Sequence, residues 1–546
     1  MKRIFIVLGI AAALTAVFAN QLGIDNDAGW GGMRTLLLET GIALFALGTL
    51  LHVFETPIRY IREKITAQVQ SVGRKRWIRI TFLGIVIFTA IAYTWFLRDA
   101  TDADRIYNYY SELAKGFRRG NLYVPDKPSA ELLALENPYD TALRKQSGIE
   151  DYPWDITLYE GRYYVYWGPS PALFLIPFDD RILSTLEDYH LSLFFAFGMF
   201  VYSALIVASF WRRLKTAPVW ALAFSMLVMG FSVPVTTMLE RGEVYETAIF
   251  ACQFFFIGGC FWAYSSLQDE SSPAWKFALA GIHWAFAVGA RVTILPVAAV
   301  AALVMLLPAL INLRNKSWKR RLGLPLAAGI PLLAGVAALA WYNYARFGSV
   351  LEFGTSYQLG NTDYTKFTGM FGLQYFVGNL QVYFMRPANF EPRFPFISLV
   401  ENTVSNDRMS GLFYVGPFIA LILLPLFRLF AGNKTAAVSD SFNNRILVLF
   451  AAAAAVSAFI TFIFFFNTLR YTLDFLPAAL ILISLSLGME FESLKEKRLA
   501  AAALALVFVV LALANVMAGI LLAIPASGTA FMLNFLNSAG KLLGLR

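Results

Sequence analysis

Long apolar runs alternate along the chain with short polar, mostly basic, breaks. Apolar stretches recur near 4–20, 35–54, 78–97, 191–211, 218–239, 247–267, 275–290, 292–311, 323–345, 411–430, 446–466, 475–490 and 500–523. Roughly 18 such residues carry a helix across a bilayer. The pattern predicts an all-α polytopic membrane protein with about 13 transmembrane helices. The stretch 275–311 reads two ways, as a bent pair meeting at Arg291 or as one longer helix with a re-entrant piece.

Charge then orients the pattern. With the N-terminus in the cytoplasm, the loops near 55–77, 212–217, 312–322 and 491–499 fall on one side. They carry Arg59, Arg62, Lys64, Arg74, Lys75 and Arg76, then Arg212, Arg213 and Lys215. Arg314, Lys316, Lys319, Arg320 and Arg321 follow, and Lys495, Lys497 and Arg498 complete the set. The opposite short loops, near 21–34, 240–246 and 467–474, hold one Arg each. This is the asymmetry of the positive-inside rule. The first apolar run follows Lys2 and Arg3 and reads as a retained span, not a cleaved leader. The same orientation puts two long loops, 98–190 and 346–410, outside, rich in Tyr, Trp, Pro, Asn and acidic residues. Loops of that length are usually functional. Within them PALFLIPF (171–178) and LQYFVGNLQVYF (373–384) are too short or interrupted to span and suit helices lying at the outer interface. The tail FMLNFLNSAGKLLGLR (531–546) suits an interface-lying helix as well.

Composition narrows the class. Of 546 residues 58% are hydrophobic, 16% aromatic and only 15% charged, too few charges to coat several soluble domains. The net charge of +9 sits in short loops between spans, which excludes a nucleic-acid partner and places the protein in a membrane. Cys252 and Cys260, eight apart on one apolar run, lie about 12 Å apart along a helix, too far for a disulfide. His52, His190 and His283 are scattered, so metal or acid–base chemistry rests on carboxylates.

Candidate carboxylates come in the loops. RDATDADRIYNYY places Asp99, Asp102 and Asp104 at the outer membrane surface, where they can act as a general base, hold a divalent cation, or simply cap a helix. Further on, Asp155 lies among Tyr152, Trp154, Tyr159, Tyr163, Tyr164, Tyr166 and Trp167. Aromatics mixed with a few polar groups suit the C–H faces of a sugar, and an interfacial belt looks similar. Gly-Pro-Ser-Pro (168–171) then makes a turn toward the membrane. Charges also cluster at the outer ends of spans: Glu240, Arg241, Glu243 and Glu246, then Arg291, Arg346, Arg470 and Asp474. Arg470 and Asp474, four apart, read as an intrahelical ion pair. Arg291 lacks a nearby acid in sequence, and a phosphate would supply one.

NPYD (137–140), YPWDITLYEGRYYVYWGPSPALFLIPF (152–178), YNYARFGSVLEFG (342–354) and RYTLDFLPAALIL (470–482) resemble bacterial GT-C membrane glycosyltransferases of the dolichyl-phosphate-mannose mannosyltransferase-like type. The resemblance implies a GT-C-like bundle with its active site on the outer face, above a groove for a lipid carrier. It implies a catalytic core over 78–490, preceded by two spans and a basic loop in 1–77 and followed by a last span and amphipathic tail in 491–546. Such enzymes move a sugar from a polyprenyl-phosphate donor to a hydroxyl of a lipid, glycan or protein acceptor. Carried over by position, Asp104 is the first choice of base, with Asp102 and Asp155 as further catalytic carboxylates. Arg291, Arg470 and Arg346 are then donor phosphate ligands, and Tyr163, Tyr164, Trp167, Glu243, Glu246 and Asp474 substrate contacts. No cofactor is specified, and a divalent cation (Mg or Mn) stays open. Two rivals share the topology: a ligase moving a finished glycan from its lipid carrier, and a transporter or flippase of lipid-linked saccharides. The transporter predicts polar residues in mid-span, where only Glu39, Gln253 and His283 stand.

Overall fold

A computed structural model of the chain describes residues 2–19, 22, 24, 34, 37–42, 44–45, 73–97, 108–268, 273–311, 318–366, 369–392, 394–402, 407–430 and 441–524. Asp99, Asp102 and Asp104, and the 531–546 tail, lie outside these residues. The chain divides into two compact units, 1–79 and 80–546. In the first, α1 (Lys2–Val17) meets a second helical stretch at residues 37–42. A Cβ on Gly9 would lie 2.5 Å from the Phe45 nitrogen and 2.7 Å from the Gly41 carbonyl, so only glycine allows this approach. Small residues serve the same end in membrane helix pairs generally. Arg34 closes the end of α1 by donating to the carbonyls of Ala16 (3.1 Å) and Val17 (3.2 Å).

After α2 (Arg74–Phe96), the second unit is a bundle of apolar helices. These are α3 (Asp188–Trp211), α4 (Val219–Gly230), α5 (Val233–Arg241), α6 (Val244–Leu267), α7 (Ala274–Ala290) and α8 (Leu295–Ile311). α9 (Trp318–Phe347), α10 (Phe376–Met385), α11 (Ser441–Phe462), α12 (Leu476–Ser493) and α13 (Arg498–Leu521) follow. Among the described residues seven helices are long and apolar enough to cross a membrane, or eight if α4 and α5, bent by 41°, form one span. The expectation of about 13 is not confirmed by these helix lengths, and the 411–430 run shows one local reason. The 411–430 run is interrupted at Gly416-Pro417, leaving a four-residue helix, a 3₁₀ segment and Leu423–Phe430 instead of a span. At 275–311 the chain takes the bent form: Arg291 leaves α7 in an extended conformation (φ −147°, ψ 119°) before a 3₁₀ turn leads into α8.

Helix caps and packing fix the bundle. α3 opens with a reciprocal cap in which the Glu187 side chain accepts from the His190 backbone and His190 Nδ1 accepts from the Glu187 N–H (3.2 Å). That gives His190 a structural role. α6 and α12 are buried nearly all round, whereas α9 and α13 leave most of their apolar side chains on the surface, as lipid contact requires. Cys252 and Cys260 are separate buried thiols on α6.

Gly281 of α7 meets α9 so closely that a Cβ would sit 2.0 Å from the Ala328 carbonyl. Gly281→Leu must therefore push the two backbones apart, and is expected to lower the apparent Tm in detergent by the equivalent of about 1–3 kcal/mol. Gly329→Ala, on the open side of α9, is the matched control, because a Cβ there meets nothing within 4 Å. Its melting point should not fall.

The helix ends sort into two sets. At one, Glu492 near the end of α12 accepts from the backbone N–H groups of Lys215, Thr216 and Ala217, joining the basic turns that follow α3 and α12. At the other, the long segments 108–187 and 348–402 dock on one another. Arg144, fully buried, donates to the carbonyls of Pro138 (2.5 Å) and Gly360 (2.6 Å). Thr141 Oγ1 also donates to the Gly360 carbonyl, and Asn137 bonds Asp363 (3.0 Å). The NPYD motif is the inner edge of this clasp.

Candidate active site

Where the docked segments meet the helix ends, a cavity of about 750 Å³ opens. A hairpin builds one wall. Strands β1 (Thr157–Tyr159) and β2 (Arg162–Tyr164) pair antiparallel, joined by Glu160 and Gly161, both at positive φ (47° and 71°). Two left-handed residues are what a tight hairpin turn requires. β1 continues through Thr157 to a bridge with Gln358, and the Leu359 N–H donates to the Ile156 carbonyl (2.8 Å). This third rung sets Gln358 beside Asp155.

Asp155, just ahead of β1, has a left-handed backbone (φ 58°), uncommon for a residue with a side chain. Its N–H donates to the Leu359 carbonyl (3.1 Å), and its carboxylate accepts hydrogen bonds from the Tyr245 hydroxyl and the Gln358 amide. Burial pushes the Asp155 carboxyl above the ordinary range, although Tyr245, Gln358 and Arg470 pull the other way. Beyond β2, Gly168 places its N–H on the Ala290 carbonyl (3.2 Å), and a Cβ there would lie 2.0 Å from the Gly289 carbonyl. This close approach to the end of α7 sets Trp167 and Tyr166, ring centroids 4.1 Å apart, on the same cavity as Arg291.

The charged wall comes from three elements. α5 ends at Arg241, Glu243 precedes α6, and the 3₁₀ turn Leu469–Asp474 precedes α12. Asp407 bridges two arginines, accepting from Arg470 Nη1 (2.8 Å) and Arg241 Nη1 (3.1 Å), and also from Thr468 Oγ1 (2.7 Å). Burial alone would raise the Asp407 carboxyl, but Arg470, Arg241 and Thr468 hold it below its ordinary range. Arg241 also bonds Glu243 (2.9 Å) and lies 3.8 Å from the fully buried Glu246. Arg291 pairs with Asp474.

This geometry corrects two pairings read from sequence. Arg470 and Asp474 do not form an intrahelical pair, because the chain there is a 3₁₀ turn ahead of Pro477. Arg470 reaches Asp407 and Asp474 reaches Arg291, which therefore has a local acid after all.

Of the sequence-derived site residues, Asp155, Trp167, Glu243, Arg291 and Arg470 line one cavity. Asp474 stands behind Arg291, and Glu246 behind Arg241. Arg346 is not part of the lining. Its guanidinium is buried, bonding the Val165 carbonyl (2.9 Å) and Asn343 Oδ1 (2.8 Å), which ties the end of α9 to the hairpin. Tyr163 and Tyr164 are also turned away, Tyr164 packing on Tyr123 and Phe347. Sequence reasoning missed Asp407, Gln358 and Tyr245. Tyr245 stands between two singled-out acids in GEVYE, a usable signal, whereas Asp407 has none.

The rest of the lining divides by chemistry. Thr355, Gln358, Asn361 and Thr362 form an uncharged polar rim, and Phe371 with Phe464, Phe465 and Phe466 an apolar side. Among the described residues no three His, Cys, Asp or Glu side chains gather to hold a metal ion.

No family model matches the chain, and no curated protein matches it. Among solved structures it is similar to the Archaeoglobus fulgidus oligosaccharyltransferase in the apo form, with 11% identity and a TM-score of 0.44 over 82% of this chain and 56% of that one. The chain thus spans little more than half of that protein's length.

Proposed function

We propose that this protein is a membrane glycosyltransferase, moving a sugar from a polyprenyl-phosphate donor to a hydroxyl of a lipid, glycan or protein acceptor on the extracytoplasmic face. One observation carries the reading: a single cavity at the helix ends holds a half-buried carboxylate, arginines, paired aromatics, a neutral polar rim and an apolar side. Its size suits a small ligand or headgroup. Trp167 and Tyr166 offer a face to a sugar ring, and the rim offers partners to its hydroxyls. Arg291 and Arg470 meet a phosphate, and Phe464–Phe466 the first part of an isoprenoid chain.

In the transfer step the acceptor hydroxyl oxygen attacks the anomeric carbon as the bond from that carbon to the phosphate oxygen breaks. The phosphate leaves with the bonding electrons toward Arg291 and Arg470, and the hydroxyl proton passes to a carboxylate. Asp155 is the candidate inside the described cavity, and its raised proton affinity makes it a better base than an exposed Asp. Asp102 and Asp104 remain proposed alternatives ahead of helix Tyr109–Arg118, and a role for a divalent cation would belong with them.

The test is sugar transfer from radiolabelled polyprenyl-phosphate sugars in proteoliposomes. A covalent product on an acceptor is expected. Movement of the saccharide across the bilayer with no covalent product would overturn the reading in favour of a flippase. Transfer of a preassembled glycan but no single sugar would favour the ligase.

Sidedness has its own test. Cysteine at Glu160, on the exposed hairpin tip, should be labelled in intact cells by an impermeant reagent, and cysteine at Glu496, by the basic turn, should not. The reverse result would put the cavity in the cytoplasm.

A further inference from the structure

We propose that Tyr245 is a positioning residue that holds Asp155 ionised and aimed into the cavity, and that this pair sets the acid limit of the enzyme. The idea rests on the glycosyl-transfer reading for its kinetic consequence but not for its physical one.

Tyr245 lies in the first turn of α6, and its hydroxyl donates to Asp155 Oδ2. The ring is fixed from two sides. Trp167 meets it edge-on at 5.3 Å, and the Arg470 guanidinium lies 4.8 Å from its centroid. With the ring so clamped, the hydroxyl has little freedom to seek another acceptor. Asp155 is equally constrained, through its left-handed backbone and its N–H bond to Leu359. Two rigid partners from elements 90 residues apart thus converge on one hydrogen bond. Residues held in sparsely populated backbone conformations cluster where function requires a fixed geometry.

The groups packed around Asp155 pull on it in opposite directions. Arg470, from the turn before α12, favours its anion, and Glu243, ahead of α6, opposes it. Tyr166 and Tyr364 face it as neutral phenols, and the Gln358 amide supplies the second hydrogen bond. Burial works against the charged form, so the donated bonds keep the carboxylate available as a base. Removing the Tyr245 hydroxyl takes away one donor from a half-buried anion and leaves the ring in place.

Tyr245→Phe tests this with two readouts. In the transfer assay the acid limb should move up by about one pH unit, so that the rate on that limb falls about tenfold. It should recover to within about threefold of wild type at high pH, because the acid limb has moved upward and the base is intact. In purified protein, the infrared carboxyl band that disappears in Asp155→Asn should titrate about one pH unit higher in Tyr245→Phe. Gln358→Met should move the same band the same way. An unchanged titration midpoint overturns the inference, and so does a rate loss that is equal at every pH. Wild-type protein with no transferase activity, but with the midpoint shift, would overturn the proposed reaction and leave the Tyr245–Asp155 pair standing.

Discussion

Asp155→Asn is expected to lower sugar transfer by about 10²–10⁴-fold, the usual cost of losing a general base, while donor binding changes little. Asparagine keeps the size, and its one amide oxygen can still accept from Tyr245 or Gln358, so the hairpin should stay in place. What it loses is the ability to take the acceptor proton. The wild-type pH profile carries the same signature. Burial raises the Asp155 carboxyl, so activity should be lost, as pH falls, above the ordinary Asp value of about 3.9. The direction follows from protonation, since the base works only as the anion. Asp102→Asn and Asp104→Asn are the companion measurements. If Asp155→Asn transfers at near the wild-type rate while one of those two is inactive, the base is that residue.

Arg470→Met should be the most destabilising single change in the charged wall. It removes one of the two arginines on Asp407, a largely buried pairing, and because Arg241 and Thr468 stay the cost should be about 1.5–3 kcal/mol, that of a lost hydrogen bond to a charged group. Arg470 and Asp407 side chains are only 11% and 16% exposed, so water screens them poorly. The fall should appear as a lowered apparent Tm in detergent. Adding Asp407→Asn should restore part of it, because the carboxylate that has lost one of its two arginines is then neutral. A variant that melts with wild type would show that Arg241 alone satisfies Asp407. Donor affinity should drop in both variants, since neither has the Arg470 cation.

How legible this was in the sequence depends on the range of the interaction. The ends of α3, α6, α9, α12 and α13 fall within a few residues of the apolar runs, because the bilayer imposes both length and composition on a span. Gly168-Pro169 as a sharp turn was visible as a local interruption, whereas the break at Arg291 was one of two readings that the apolar pattern left open. The 411–430 run is broken where average hydropathy gives no sign, at Gly416-Pro417. The arginine pairings were misread for a related reason. Spacing of four implies contact only on a helix, and Pro477 in the first turn of α12 was the overlooked sign that 470–474 precede it. Asp407 and Arg241 are 166 residues apart, and nothing in a single chain couples such positions. Asp155 could be singled out by its aromatic company, but its strained backbone and its tyrosine donor exist only after folding.

The clasp between the two long segments also has a consequence for biogenesis. Arg144 is made early, yet its Gly360 acceptor lies 216 residues further along, beyond α3 to α9. A chain emerging N-terminus first therefore carries a guanidinium that cannot be buried until most of the bundle has been inserted. Until then the hairpin lacks its third rung, and Asp155 lacks Gln358 beside it. The candidate pocket is thus among the last parts of the protein to mature, and a prematurely terminated chain would reach the membrane with that cavity unformed.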